Sequence, residues 1–189
     1  MEIYKNSTDE DLVGLFKEGV DQAFEELYNR YAPKIKRLIY YYITNVDDVD
    51  DIFHEVIVRV IRHINSFDTT LSFSSWFYQI AVNCCKNYIN NSIKRDKIIS
   101  KEKDRISIFG KEPLNTEEHM INNYDMQEFN IAIDGLKDKF KDVFILRFDH
   151  KMKYSEIAEV LNCSERTAKW RMKKAIEKIT QHLKEQGLI

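Results

Sequence analysis

At 189 residues and 43% hydrophobic side chains the chain can hold one large or two small packed domains, and its formal net charge of −2 argues against a free-standing nucleic-acid binder, which would be more basic. Two prolines and five glycines against plentiful leucine, isoleucine, lysine and glutamate point to an all-helical protein. No apolar run is long enough to span a membrane, the polar start MEIYKNSTDED excludes a secretory signal, and Cys84, Cys85 and Cys163 lack metal-ligand spacing and read as reduced, cytoplasmic thiols.

Taken in order, Thr8 and Asp9 carry the short oxygen-bearing side chains that cap a helix start, with Asp11 beside them in the first turn. Leu12, Val13, Leu15 and Phe16 make a short apolar face that ends near Gly19. A longer helix begins near Asp21, with Phe24, Leu27, Tyr28, Tyr31, Ile35, Leu38, Ile39 and Tyr42 at helical spacing. Pro33 inside it predicts a kink or a fresh first turn. Asn45 and Val46 form a turn. Asp47 to Asn65 predicts the next helix, with Val49, Ile52, Phe53, Val56, Val60, Ile61 and Ile64 on one face. Asp47, Asp48, Asp50 and Asp51 at its start and Arg59, Arg62 and His63 toward its end suit the helix dipole, and taken alone they are ordinary helix design.

Ser66 to Leu71, SFDTTL, reads as a loop into the stretch Ser72 to Ile89, SFSSWFYQIAVNCCKNYI. Ser72, Ser74 and Ser75 offer hydroxyls to cap a helix start. Phe73, Trp76, Phe77, Ile80, Ala81, Cys84 and Tyr88 recur at intervals of three and four, which is one helical stripe. Tyr78, Gln79, Asn83, Lys86, Asn87, Asn90 and Asn91 fall on the other faces, and Lys94, Arg95 and Lys97 follow. Rings stack on bases, amides meet base edges and cations hold phosphates, so this set suits a strand of opened nucleic acid. Periodicity alone is also satisfied by an ordinary amphipathic helix, tryptophan inward and amides outward.

From Ser92 to about Asp125 periodicity lapses and Gly110, Pro113, Asn115 and Thr116 appear, which reads as a flexible linker over 98–124. Beyond it, Phe129, Ile131, Ile133 and Leu136 predict one helix, stopped at Gly135 and Leu136. Phe140, Val143, Phe144, Leu146 and Phe148 predict another, up to Asp149 and His150. Tyr154 to Ile179, YSEIAEVLNCSERTAKWRMKKAIEKI, has helix-turn-helix form. Ala158 is small where two helices meet, and Ile157, Leu161 and Met172 fill the core between them. Asn162 tolerates the left-handed conformation a turn requires, and Ser164 and Glu165 suit a helix start. The second helix presents Arg166, Lys169, Trp170, Arg171, Lys173 and Lys174, a set suited to a major groove with its phosphates. Taken alone, the same pattern fits a basic helical hairpin that binds protein. Charge divides accordingly: residues 1–97 carry 12 Lys/Arg against 15 Asp/Glu, and residues 126–189 carry 13 against 10.

No catalytic constellation accompanies these helices. In HEVIV, which starts at His54, Val58 stands where a zinc-protease motif needs its second histidine. There is no glycine-rich phosphate loop and no Gly-x-Ser-x-Gly elbow, and the acidic residues cluster at helix starts. No catalytic residue, metal ligand or cofactor is expected.

Phe73 to Tyr88 closely resembles the DNA-opening helix of the extracytoplasmic-function (ECF) sigma factors of the sigma-70 family, two-domain subunits that direct bacterial RNA polymerase to promoters. Trp76, Tyr78, Ile80, Ala81, Asn83, Lys86, Asn87 and Tyr88 carry the match. Asp51 to Arg62, DIFHEVIVRVIR, resembles the family helix that binds the polymerase clamp, with His54 in place of the usual Gln. Tyr154 to Arg171 resembles region four, with two departures: Ala168 stands for Val, and Trp170 for a small Ser on the DNA side.

The resemblance implies an all-α fold of two small helical domains: a region-2-like bundle over 1–97, the linker over 98–124, and a region-4-like helix-turn-helix over 125–189. It implies core RNA polymerase and promoter DNA as partners, leaves open an anti-sigma factor, and puts the protein in the cytoplasm. Docking on polymerase falls to Asp51, His54, Glu55, Arg59 and Arg62. Melting and reading of the −10 element fall to Phe73, Trp76, Tyr78, Asn83, Lys86 and Asn87, and the loop Ser66 to Leu71 borders the pocket for a flipped base. Reading of the −35 element falls to Arg166, Thr167, Lys169, Trp170, Arg171, Lys173 and Lys174. Glu112, Glu117 and Glu118 resemble the acidic linkers that pass near the RNA-exit path. Two alternatives are a stand-alone helix-turn-helix regulator whose first domain senses or dimerises, and a sigma-derived interaction protein that no longer starts transcription.

Overall fold

The computed structural model describes residues 4–43, 45–99 and 123–189. The chain divides into two compact units, Met1–Glu102 and Lys103–Ile189. The first is built from α1 (Asp9–Lys17), α2 (Asp21–Tyr40), α3 (Val46–His63), a 3-10 turn (Ile64–Ser66) and α4 (Phe73–Ile99). Each start has a local cause. The Asp11 amide donates to Thr8 Oγ1 at 3.1 Å while Asp11 accepts from the Thr8 amide, a capping box. Asn45 Oδ1 accepts from the Asp47 amide at 3.2 Å, and Ser72 Oγ from the Ser75 amide at 3.2 Å. Such a cap stabilises a helix by about 1 kcal/mol. Of the three serines expected at the start of α4, Ser72 is the cap, and Ser75 is buried.

The α2 helix runs through Pro33 without interruption. Proline costs it the bond to the Asn29 carbonyl, but both residues are exposed, on the side of the helix that faces solvent. The opposite stripe, Ala23, Leu27, Tyr31, Ile35, Leu38 and Ile39, is buried and keeps the helix on its neighbours. In α3 the buried stripe is Val49, Ile52, Phe53, Val56 and Val60. Ile61, expected on that face, is 45% exposed: at about 100° per residue it turns past the seam that Val60 and Ile64 fill. Lys36 Nζ meets Asp50 Oδ1 at 2.8 Å between α2 and α3, and that pairing holds the Asp50 carboxyl below its usual range.

The core of this unit is aromatic. Tyr31, Phe67, Phe73, Trp76 and Phe77 form a chain of rings with centroids 4.9–5.8 Å apart. Each such pair adds about 0.5–1.5 kcal/mol to simple burial. The Tyr31 hydroxyl donates to Asp9, and burial, reinforced by that carboxylate, raises its pKa well above the ordinary value. Cys84 and Cys85 lie in the same core, and burial pushes the Cys84 thiol up to about 11.

The second unit holds α5 (Asn123–Asp134), α6 (Asp138–Phe148), α7 (Tyr154–Val160) and α8 (Glu165–Glu185). Its core gathers Ile133, Leu136, Phe140, Val143, Phe144, Ile145, Leu146, Met152, Ile157, Val160, Ala168, Met172, Ala175 and Ile179. Asn162 adopts φ 47° in the turn between α7 and α8, and the Cys163 amide closes that turn on the Ala158 carbonyl at 2.9 Å. A second left-handed residue, Lys151 at φ 56°, turns the chain between α6 and α7. The linker expected over 98–124 is helical where it meets α4 (98–99) and α5 (123–124). Its remainder, with Glu112, Glu117 and Glu118, lies outside the described residues, as do the side chains of Lys94, Arg95 and Lys97.

Candidate nucleic-acid interface

The α4 helix packs against α1, α2 and α3, so its buried arc is wide. Phe73, Phe77, Tyr78, Ala81, Val82, Cys84 and Cys85 all face inward. At about 100° per residue the remaining arc presents Trp76, Gln79, Ile80, Asn83, Lys86, Asn87 and Asn90 side by side. Asn83, Asn87 and Asn90 are exposed, and Trp76, Gln79, Ile80 and Lys86 are half-buried. Four of the six residues expected to meet the −10 element, Trp76, Asn83, Lys86 and Asn87, therefore share one surface. The other two do not. Phe73 is 0% and Tyr78 3% exposed, so neither ring has a face open to a base, and both belong to the core. Tyr78 turns inward because α4 is covered on more than one side, which widens the buried stripe past the residues at three-and-four spacing. Ile80, assigned to the core by that spacing, lies at the edge of the open arc.

Beside this arc stands the loop Ser66 to Leu71, which is tied down at several points. Asp68 Oδ1 accepts from the Thr70 amide at 2.9 Å and from Thr70 Oγ1 at 2.8 Å, and the two bonds hold the Asp68 carboxyl below its usual range. The Leu71 amide returns to the Asp68 carbonyl at 3.0 Å, and Ser66 Oγ donates to the His63 carbonyl at 2.8 Å. Phe67 is buried against Trp76, centroids 4.9 Å apart, so the loop and the tryptophan are one packed unit. The Asp-x-Thr spacing was the sequence signal for this turn.

On α3, Asp51, His54, Glu55 and Arg62 are exposed and Arg59 is half-buried, with Arg59 paired to Glu55 one turn away. Between these charges lie Val58, 52% exposed, and Ile61. Sequence reasoning missed this apolar centre, because it assigned Ile61 to the core and weighed only the charges. Apolar side chains ringed by charge are the usual build of a protein-binding patch.

The α8 helix starts on Ser164, whose Oγ accepts from the Thr167 amide at 3.0 Å and also meets Thr167 Oγ1 at 2.7 Å. Thr167, expected to touch DNA, is thus engaged in the cap and half-buried. Ala168 and Met172 face inward, while Arg166, Lys169, Trp170 and Lys173 face solvent and Arg171 and Lys174 are half-buried. Trp170 is 48% exposed, with its ring edge-on to Phe140 at 5.9 Å. Lys169 pairs with Glu165 and Lys174 with Glu177, each at 2.6 Å, and the Lys174 ammonium holds Glu177 below its usual range. Among the described residues no group of His, Cys, Asp and Glu is placed to hold a metal ion, and no helix is long and apolar enough to cross a membrane.

A helical unit with an aromatic and amide arc, in one chain with a helix-turn-helix unit, defines a two-domain DNA-binding protein of all-α class. The family models agree: Sigma-70 region 2 matches residues 27–93, and Sigma-70, region 4 matches residues 132–181. The chain is similar to the ECF RNA polymerase sigma-E factor of Escherichia coli (strain K12), 30% identical over 177 residues, or 91% of this chain and 92% of that protein. In fold it is similar to CnrH, solved in complex with the cytosolic domain of CnrY, with a TM-score of 0.69, 18% identity and coverage of 94% and 97% of the two chains. It is also similar in fold to the sigma factor RpoE of Bartonella quintana, solved with the anti-sigma factor NepR, with a TM-score of 0.66, 16% identity and coverage of 85% and 96%. The chain belongs to the ECF sigma factors of the sigma-70 family, which bind core RNA polymerase. It directs that polymerase to promoters and is not itself an enzyme.

Proposed function

We propose that the two units divide promoter recognition between them. The outer arc of α4, with the loop Ser66 to Leu71, takes the opened strand of the −10 element. Trp76 supplies a stacking face, Asn83 holds a flipped base by its amide, and Lys86 and Asn87 follow the strand. The α8 helix enters the major groove of the −35 element with Arg166, Lys169, Trp170, Arg171, Lys173 and Lys174. Polymerase docks on the α3 face formed by Asp51, His54, Glu55, Val58, Arg59, Ile61 and Arg62. The observation that carries this reading is the gathering of Trp76, Asn83, Lys86 and Asn87 on the one side of α4 that its neighbours leave open. It also accounts for the near-neutral charge, since the polymerase would supply most of the electrostatic attraction to DNA. The site of action is then the cytoplasm.

The reading extends to an anti-sigma partner, supported by the partner proteins bound to both structural neighbours. The test is run-off transcription with added core polymerase from a promoter library randomised at −10 and −35. Asn83→Ala is expected to change preference at one −10 position and leave −35 preference intact. Unchanged −10 preference would assign the flipped base elsewhere.

A further inference from the structure

The α1 helix lies outside the segment matched by the region 2 family model, which begins at residue 27. It nevertheless holds both ends of the strand-reading loop. Lys17 Nζ donates to the Phe67 carbonyl at 2.6 Å, across 50 residues of sequence. Glu10 Oε1 accepts from the Phe73 amide at 2.9 Å, across 63 residues. Glu10 and Lys17 are seven residues apart, two turns along one face of the helix, about 10 Å of rise. That face spans the loop from Phe67, where it begins, to Phe73, where α4 takes over.

Each contact also does a definite chemical job. The Glu10 carboxylate satisfies an amide in the first turn of α4 and puts negative charge at the positive end of that helix. The Thr70 bonds hold the Asp68 carboxylate ionised, and the positive charge of Lys17 adds to their effect. Asp68 in turn organises the loop through Thr70. The brace has a firm footing on α2: Asp9 pairs with Arg30 at 2.8 Å and accepts from Tyr31, and Phe16 lies on Phe24 with centroids 4.9 Å apart. Arg30 further binds the Ser7 and Tyr4 carbonyls at 3.0 and 2.9 Å. Leu12 and Val13 are fully buried.

We propose that α1 is a brace that holds the loop Ser66 to Leu71 in its strand-binding shape, with Glu10 and Lys17 as its positioning residues. The proposal rests on the reading of the α4 arc and its loop as the −10 site. The alternative, that the two contacts only add to the stability of the fold, makes a different prediction.

The experiment uses the full chain with core polymerase and duplex promoters randomised at −10. Glu10→Ala and Lys17→Met each remove one contact, and a charge-assisted hydrogen bond corresponds to a loss of about tenfold in transcript. That loss should come with flattened preference at the position that Asn83→Ala also flattens. Glu10→Gln keeps an acceptor oxygen and Lys17→Arg keeps a donor, so both should restore the preference. In a Trp170→Phe background, emission from Trp76 reports the loop through its contact with Phe67. It should shift in Glu10→Ala and Lys17→Met and stay in place in the two conservative variants. Unchanged preference and emission, or an equal loss on all −10 sequences with a lowered thermal midpoint, overturns the brace. If Asn83→Ala leaves preference untouched, the reading of α4 fails instead, and Trp76 emission alone then upholds or overturns the brace.

Discussion

The α4 and α8 helices each present a tryptophan to solvent, yet they are mounted differently. Trp76 lies against two rings, Phe67 and Phe73, and the open arc it shares is mostly amide, with Gln79, Asn83, Asn87 and Asn90 beside Ile80 and Lys86. Among the described residues the Trp170 ring meets one other ring, Phe140, edge-on, and its neighbours along the helix are cations. An amide and ring surface gains little from a duplex, whose base faces are stacked away, but much from a strand already parted. A cationic surface gains from phosphate whatever the base sequence. On the proposed reading, the difference marks the first helix as a reader of bases and the second as a holder of duplex, with specificity added by few contacts.

Four variants would break or sharpen that contrast. The largest effect should come from α3, which on the proposed reading docks polymerase for both helices. Val58→Asp with Ile61→Asp is expected to weaken core polymerase binding by about 2–4 kcal/mol, with helical circular dichroism unchanged, and so remove −10 and −35 dependence together. Full transcription from this variant would separate promoter reading from that face. Asn83→Ala comes next, at about 1–3 kcal/mol confined to one −10 position, measured as relative transcript across the library. A uniform loss at every position would make α4 a phosphate holder like α8.

Trp170→Ser should lower the stability of the full chain by about 1 kcal/mol or less, the scale of one aromatic pair, and alter −35 preference. A larger fall in thermal midpoint with unchanged preference would make Trp170 a core residue. The smallest effect belongs to Lys173→Ala. It should weaken binding about equally on all sequences and lower the salt dependence of holoenzyme binding by about one unit of slope. A change in preference at one base would overturn its role as a phosphate contact.

The elements themselves were legible because their causes are local. Thr8, Asn45 and Ser164 begin helices through bonds within three residues, two of which the sequence reading had named as caps and the third as a turn residue. Asn162 was expected to tolerate a left-handed turn and adopts one. Lys151, which does the same, was not foreseen, since lysine carries no such preference. Met172 was placed in the core and Trp170 on the outer face, and both lie there, because the buried residues of α8 form a single stripe, Ala168, Met172, Ala175 and Ile179.

Periodicity failed where the buried arc of a helix is wider or narrower than its apolar spacing suggests. In α4, covered by three neighbours, it placed Tyr78 outside and Ile80 inside, and in α3 it buried Ile61, which turns past the narrow seam that Val60 and Ile64 fill. The sequence by itself determined the helices, the turn of the helix-turn-helix and the family, because spacing, caps and motif residues act over a few positions. Only the tertiary structure decided which arc of α4 stays open, that Phe73 is core, that Val58 and Ile61 stand exposed among the charges of α3, and that Glu10 and Lys17 grip the ends of a loop more than forty residues away. Those facts depend on which neighbours a helix packs against, and helical spacing carries no information about partners distant in the chain.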